Sequence, residues 1–373
     1  MLRLDRIALR EIRLPLREPF RISSGVCTER RIALVELRHA DGPAVWAECV
    51  AGELPNYSPE TIDTAWLAIT EWLAPRLVGR AFPDAPAVHE ALEPGVRGHR
   101  MAKAALEMGC WAMVALLRGE PLAVTLGGTR ERIATGISLG IQGTPEALVE
   151  RAAAAARLGY RKIKIKIAPG ADLEFVRAVR EALPAAHLMA DANSAYTLAD
   201  AEHLARLDAF DLIMIEQPLE PEDLVRHAAL QRRLRTPLCL DESITGVERA
   251  EDMCALGSGR IINIKPGRVG GFTASRAIHD LCVARGIPVW CGGMLESGVG
   301  RAYNVALASL PNFTLPGDLS PSARYWERDI VAPEWTMDQD GMVQVPRAAA
   351  GLGVAVDEGR VDDLTVRRVE VRA

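Results

Sequence analysis

Five charged residues recur through the middle of the chain at intervals of 24 or 25 positions: Lys166, Asp191, Glu216, Asp241 and Lys265. Each ends a short apolar run, the runs being Ile163-Lys164-Ile165-Lys166, Leu188-Met189-Ala190-Asp191, Leu212-Ile213-Met214-Ile215-Glu216, Leu238-Cys239-Leu240-Asp241 and Ile261-Ile262-Asn263-Ile264-Lys265. Three carboxylates brought to one poorly solvated place repel one another and are driven to protonate unless a cation joins them. Oxygen ligands with room for water and substrate favour Mg²⁺, with Mn²⁺ as its substitute. Asp191, Glu216 and Asp241 are therefore the candidate metal ligands. Each could instead cap the helix that follows it, but three such residues on three consecutive runs favour a shared site. Lysines stand on both sides of the three, Lys164 and Lys166 before them and Lys265 after, and these are the candidate catalytic residues. An amine becomes a useful base only when its pKa falls from about 10.4. Neighbouring cations can lower it: Lys164 shares a strand face with Lys166, the expected Mg²⁺ is close, and Arg268 follows Lys265 by three residues. With a divalent cation neutralising the growing charge, such a lysine would abstract a proton α to a carboxylate and form an enediolate.

Charged residues at the ends of consecutive buried strands meet only if the strands close on themselves. Each run is followed by a loop and a helical pattern, which makes a βα repeat. Strand one is Ala134–Leu139, its helix opens at Thr144-Pro145, and helices are expected over about 172–183, 197–207, 222–235, 247–256 and 271–285. Ile287–Cys291 supplies strand seven and Phe313–Asp318 strand eight. The expected fold class is α/β, a (β/α)8-type barrel of modified TIM type with its chemistry at the C-terminal strand ends; an open doubly wound sheet is the alternative. Residues 1–130 do not follow the repeat. Arg3–Leu16 and Arg31–Arg38 alternate like strands, Asp41-Gly42 turns into Ala44–Glu48, and helices are expected over 85–92 and 99–117, so this part is α+β. Segments 19–25 and 51–57 read as loops, and Ser58-Pro59 as a helix start. Residues 325–373 are strand-like again and are expected to return to the first domain, leaving 131–324 as the barrel.

At 373 residues, 49% hydrophobic and 25% charged, the chain can bury a large core. Its net charge of −5 is spread with both signs interspersed. That argues against a nucleic-acid stripe or a polybasic membrane patch and leaves a small-molecule carboxylate as the expected partner. The charged N-terminus lacks a signal-peptide core, no run is long enough to span a membrane, and the seven cysteines form no Cys-x-x-Cys pair. A cytoplasmic protein with reduced thiols, and a homo-oligomer, is expected.

At these residues the chain resembles the enolase superfamily, in its muconate-lactonizing subgroup with the Lys-x-Lys signature, here Lys164-Ile165-Lys166. Within that subgroup it is most similar to the o-succinylbenzoate synthase / N-succinylamino acid racemase family. The motifs span almost the whole chain: Gly98–Met108, Asp191-Ala192-Asn193-Ser194-Ala195-Tyr196-Thr197, Ile215-Glu216-Gln217-Pro218-Leu219, Asp241-Glu242-Ser243, Lys265–Gly271 and Trp290–Gly298. The resemblance implies a capping domain whose segments 20–25 and 51–57 close on substrate, Lys166 as base on one face and Lys265 on the other. It implies dehydration to o-succinylbenzoate and/or racemisation of N-acylamino acids. Phe20, Ser24, Tyr57, Ser138, Asn193, Arg268, Met294 and Leu295 would contact substrate, and Asn193 and Glu242 would support the metal ligands from behind. The chain departs from the family at Ser24, where an aromatic residue is expected, and at Gly52, where methionine is common. Both changes widen the acyl pocket. A mandelate-racemase-like histidine is absent from the end of strand seven, which reads Cys291-Gly292-Gly293. The Asp-x-Asp of a dipeptide epimerase is replaced by Asp318-Leu319-Ser320. Other readings are a different Lys-x-Lys enzyme, such as an epimerase or cycloisomerase, or a non-catalytic scaffold.

Overall fold

In the computed structural model, which describes residues 1–23 and 25–373, the first strand, β1 (Leu2–Ile22), runs antiparallel to β2 (Gly25–His39), and β2 to β3 (Ala44–Cys49). Leu2, Leu4, Ile7, Leu9, Ile12 and Leu14 are buried, as a strand with one face on a core requires. The expected loop over 19–25 is a hairpin arm instead. The ladder is interrupted between Pro15 and Phe20 and then resumes, pairing Phe20 with Cys27, Arg21 with Val26 and Ile22 with Gly25. Pro15 and Pro19 lack the N–H a ladder uses, so they break the pattern in sequence without ending the strand. The arm reaches the barrel: Ile141 N donates to Arg21 O at 3.1 Å, and Ser23 Oγ donates to Ala192 O and Asn193 O at 3.3 Å. Ser24 lies outside the described residues.

Helix α1 (Arg100–Arg118) packs on this sheet, with Gly109 so close to Leu37 that a Cβ there would lie 2.5 Å from Leu37 Cδ1. Glu60 caps the helix, accepting from Met101 N and Ala102 N at 2.8 Å. The helix expected to open at Ser58-Pro59 starts later, at Ile62, because the capping box is made by Thr61 and Thr64.

The barrel strands are β4 (Gly136–Leu139), β5 (Lys162–Lys166), β6 (Leu188–Asp191), β7 (Ile215–Glu216), β8 (Leu238–Leu240), β9 (Ile261–Ile264) and β10 (Val289–Cys291), seven parallel neighbours in sequence order. The eighth stave closes the ring with little ladder. Gly136 N donates to Gly317 O at 2.6 Å, Gly317 N to Ala134 O at 3.1 Å and Asp318 N to Cys291 O at 2.9 Å. Pro316 has no N–H to extend the pairing. The chain then leaves the barrel, and its last strand, β11 (Thr365–Arg372), pairs antiparallel with β1.

Two buried carboxylates from the first sheet and its helix clamp the two parts together. Glu48 accepts from Ser297 N at 3.1 Å and Gly300 N at 3.0 Å, at the start of helix α3 (Gly298–Ala308). Glu107 accepts from Phe272 N at 2.8 Å and Thr273 N at 2.9 Å, at the start of helix α2 (Phe272–Arg285). Each satisfies amides that a helix start leaves unpaired. All seven cysteines are free, and among the described residues no helix is long and apolar enough to cross a membrane.

Candidate active site

Strand β5 is buried along its whole length. Ile163 and Ile165 pack among the apolar residues of the surrounding helices, and Lys162, Lys164 and Lys166, of the other parity, face the barrel interior. Lys166 Nζ lies 2.6 Å from Asp191 Oδ2 and 2.5 Å from Asn193 Oδ1. Lys164 Nζ is shared: 2.6 Å from Asp318 Oδ2, 3.2 Å from Asp191 Oδ2 and 3.3 Å from Glu216 Oε2. Across the barrel, Lys265, just past the end of β9, lies 2.8 Å from Asp241 Oδ2 and 3.1 Å from the Tyr57 hydroxyl. Tyr57 OH donates to Asp241 Oδ1 at 2.9 Å, and Arg268 pairs with the same oxygen. Arg268 also donates to Ile244 O at 2.7 Å and Asn263 O at 2.5 Å.

The three carboxylates follow one another in register, Asp191 beside Glu216 and Glu216 beside Cys239, two residues before Asp241. Glu216 sits in the middle, and burial together with the neighbouring Asp191 and Asp241 charges pushes its carboxyl well above the usual range. Burial pushes the carboxyls of Asp191 and Asp241 up too, but the adjacent cations outweigh it and both end below the usual range: Lys166 and Lys164 for Asp191, Lys265 and Arg268 for Asp241. Among the described residues no three carboxylates converge on a single point as a finished cation cage. Ammonium and guanidinium groups stand where such a charge would be balanced. The donor set still fits a divalent cation: three carboxylates at adjacent strand ends, with the central one under like-charge pressure.

Among this chain's own groups, burial is the main lowering influence on Lys164 and Lys265, and the neighbouring carboxylates overcome it. Asp318, Glu216 and Asp191 raise Lys164, and Asp241 with Tyr57 raises Lys265. Sequence spacing reveals cations along one chain segment, whereas the closest charges come from other strands of the barrel.

Phe20, Tyr57, Lys166, Asn193, Lys265, Met294 and Leu295 line one cavity of about 330 Å³, together with Gly52 and Leu54. Asn193 (φ 41°) and Leu295 (φ 57°) adopt left-handed backbone to present themselves there. A wider chamber of about 910 Å³ shares Tyr57 and Asn193 and includes Glu242 and Arg268. Asn193 Nδ2 donates to Glu242 Oε1 at 2.9 Å, and burial beside Asp241 raises Glu242 to about 7. Ser138 is not in either wall; it is buried on β4 opposite Lys164. Three residues join the cluster without having been assigned a role in the site from sequence. Asn263 Nδ2 donates to Glu216 Oε1 at 2.8 Å, Asp318 meets Lys164, and Lys162 meets Asp318 at 3.3 Å. For Lys162 the signal was its parity with Lys164 and Lys166, and for Asp318 its place at the end of the eighth run.

A closed βα barrel with carboxylates and lysines on consecutive strand ends, covered by an α+β domain, defines a class of capped-barrel enzymes. Residues 6–127 match the family model described as "Mandelate racemase / muconate lactonizing enzyme, N-terminal domain", and residues 147–360 match "Enolase C-terminal domain-like". The chain belongs to this family of the enolase superfamily and is an enzyme. It is 48% identical over 366 residues to an o-succinylbenzoate synthase of Geobacillus kaustophilus, covering 97% of this chain and 96% of that one. It is 47% identical over 365 residues to an N-succinylamino acid racemase of Thermus thermophilus, covering 98% of each. The crystal structure of an enolase-superfamily member from Listeria innocua superposes with a TM-score of 0.96 at 40% identity, covering 100% of both chains.

Proposed function

We propose that this protein abstracts the proton α to a substrate carboxylate through an enediolate, as an o-succinylbenzoate synthase, an N-succinylamino acid racemase, or both. The observation that carries this reading is the presence of Lys166 and Lys265, from opposite sides of the barrel, in the wall of one cavity. The relatives bearing each name cover the chain almost end to end. Asp191, Glu216 and Asp241 would hold Mg²⁺, or Mn²⁺ in its place. When bound, the metal supplies positive charge against the carboxylate charge that grows as the proton leaves.

In racemisation, one lysine takes the α-proton and the other delivers a proton to the opposite face. In dehydration, Lys166 takes the proton and then assists departure of hydroxide as water from the same face, while Lys265 remains a cation that stabilises the enediolate. Phe20, Tyr57, Met294 and Leu295 would enclose the remainder of the substrate, and Ser24 and Gly52 leave space for its acyl group. Asn193 and Glu242 would keep Lys166 and the metal ligands oriented. The reading carries with it a cytoplasmic homo-oligomer and, for the synthase activity, a place in menaquinone synthesis. The test is incubation in D₂O with N-succinylamino acids of each configuration, and separately with the hydroxy acid precursor of o-succinylbenzoate. Metal-dependent α-deuteration of both enantiomers, or metal-dependent dehydration, is expected; absence of all of these rejects the reading.

A further inference from the structure

The barrel floor holds a cation for which the proposed reaction has no use. Met189, Met214, Cys239, Ile261 and Trp290 form an apolar cluster inside the ring. Lys162 extends into it, fully buried, with Nζ 3.4 Å from the centre of the Trp290 ring. A buried ammonium is costly unless it is compensated, and an aromatic face offsets part of that cost. The fold makes room for it. Gly136 is the register partner of Lys162, and a Cβ at Gly136 would come within 2.7 Å of Lys162 Cε.

The compensating charge is Asp318. Its Oδ1 lies 3.3 Å from Lys162 Nζ and its Oδ2 lies 2.6 Å from Lys164 Nζ. Lys162 Nζ and Asp318 Oδ1 have no other polar partner, so each depends on the other for compensation. The carboxylate is fixed through its backbone: Asp318 N donates to Cys291 O at 2.9 Å, and Asp318 O accepts from Arg301 Nη1 at 2.7 Å. Lys164 in turn spans from Asp318 to Asp191 and Glu216. A continuous line of alternating charge thus runs from the Trp290 face to the strand-end carboxylates.

From these contacts we infer that Lys162 and Asp318 are positioning residues: Asp318 anchors the Lys164 ammonium, and Lys162, by compensating the other oxygen of that carboxylate, keeps Lys164 shared with Asp191 and Glu216. Without Lys162, Asp318 would keep Lys164 as its one cation, with Oδ1 left bare, and would draw it toward the floor. Asp191 and Glu216 would lose the ammonium they share and shift relative to the substrate. Asp318 is then engaged from below and is not free to meet a substrate ammonium.

The kinetic part of this inference rests on the proton abstraction proposed above; the structural part does not. The variants are Lys162→Met, close in length but uncharged, Lys162→Arg, which keeps the cation, and the isosteric Asp318→Asn. Crystal structures of Lys162→Met should show Lys164 Nζ drawn to Asp318 and out of contact with Glu216. Its kcat should fall by about 10²-fold, the scale set by a misplacement of about 1 Å, with KM little changed. Lys162→Arg should restore both the position and kcat. Asp318→Asn should release Lys164 toward Asp191 and Glu216, again with a loss in kcat rather than in KM. Should Lys162→Met fail to fold, the other two variants decide the matter. An unmoved Lys164 with wild-type kcat in Lys162→Met or Asp318→Asn overturns the inference, as does a Lys162→Arg variant as impaired as Lys162→Met. If the wild type processes neither substrate class while Lys164 still moves as described, the reaction assignment fails and the positioning role stands.

Discussion

The two sides of the site carry the same pair, a lysine on an aspartate, in different company. On the β5 side, Lys166 meets Asp191 at 2.6 Å and the Asn193 side-chain amide at 2.5 Å, and Asp191 is shared with Lys164. Opposite, Lys265 meets Asp241 at 2.8 Å, and that aspartate is also held by Arg268 and by Tyr57, which arrives from the α+β domain and offers its ring 4.5 Å from the ammonium. On the β5 side the side chains that meet Lys166 come from the barrel, and the α+β domain reaches only the Ala192 and Asn193 carbonyls through Ser23. On the β9 side the segment carrying Tyr57 adds contacts from the α+β domain to both Asp241 and Lys265. Chemically equivalent pairs need not be functionally interchangeable.

Removing the metal should affect both sides at once and have the largest effect. A chelator should abolish turnover and added Mg²⁺ or Mn²⁺ restore it; undiminished activity in metal-free protein would remove the carboxylates from the mechanism. Asp241→Asn, which deletes one formal charge, should raise the Mg²⁺ concentration needed for half-maximal activity in a titration. Next come the lysines, which separate the sides. Lys166→Ala and Lys265→Ala should each reduce racemisation by about 10²–10⁴-fold. In D₂O each variant should exchange the α-proton of one enantiomer only, a different one in each. Racemisation near the wild-type rate in either variant would show that its lysine transfers no proton.

A smaller loss should expose the difference in support. Tyr57→Phe removes a hydrogen bond to a charged group, worth about 1.5–3 kcal/mol, and should slow exchange of the Lys265-dependent enantiomer more than the other. Asn193→Ala should show the opposite preference. Equal losses for both enantiomers in the two variants would mean that the sides are not independently supported. The smallest effect concerns scope: Ser24→Phe or Gly52→Met should narrow acceptance of N-acyl groups bulkier than succinyl, read as kcat/KM across an acyl series. An unchanged profile would place both positions away from the acyl group.

Much of this architecture was legible because a βα unit returns the chain to the same rim every 25 residues or so, and a charged residue that ends a buried apolar run marks that rim. Strands β5 to β9 and the helices between them could be read in this way. The hairpin arm could not, because Pro15 and Pro19 are the residues that normally announce a loop, and only pairing with β2 shows that the strand continues. The eighth run, Phe313–Asp318, reads as a full strand, yet Pro316 limits it to a few hydrogen bonds that close the ring.

By itself the sequence determined which residues share a face: alternation places Lys162, Lys164 and Lys166 together and the isoleucines opposite, because side chains in a strand alternate with period two. It did not determine what that face meets. Only closure of the sheet turned it inward, put Lys162 on Trp290, brought Asp318 from 152 residues beyond Lys166 to the lysines, and set carboxylates rather than cations closest to Lys164 and Lys265. The physical reason is range. Backbone periodicity is a local property, whereas a buried charge responds to whichever groups lie within a few ångströms, and in a closed barrel most of those come from other strands.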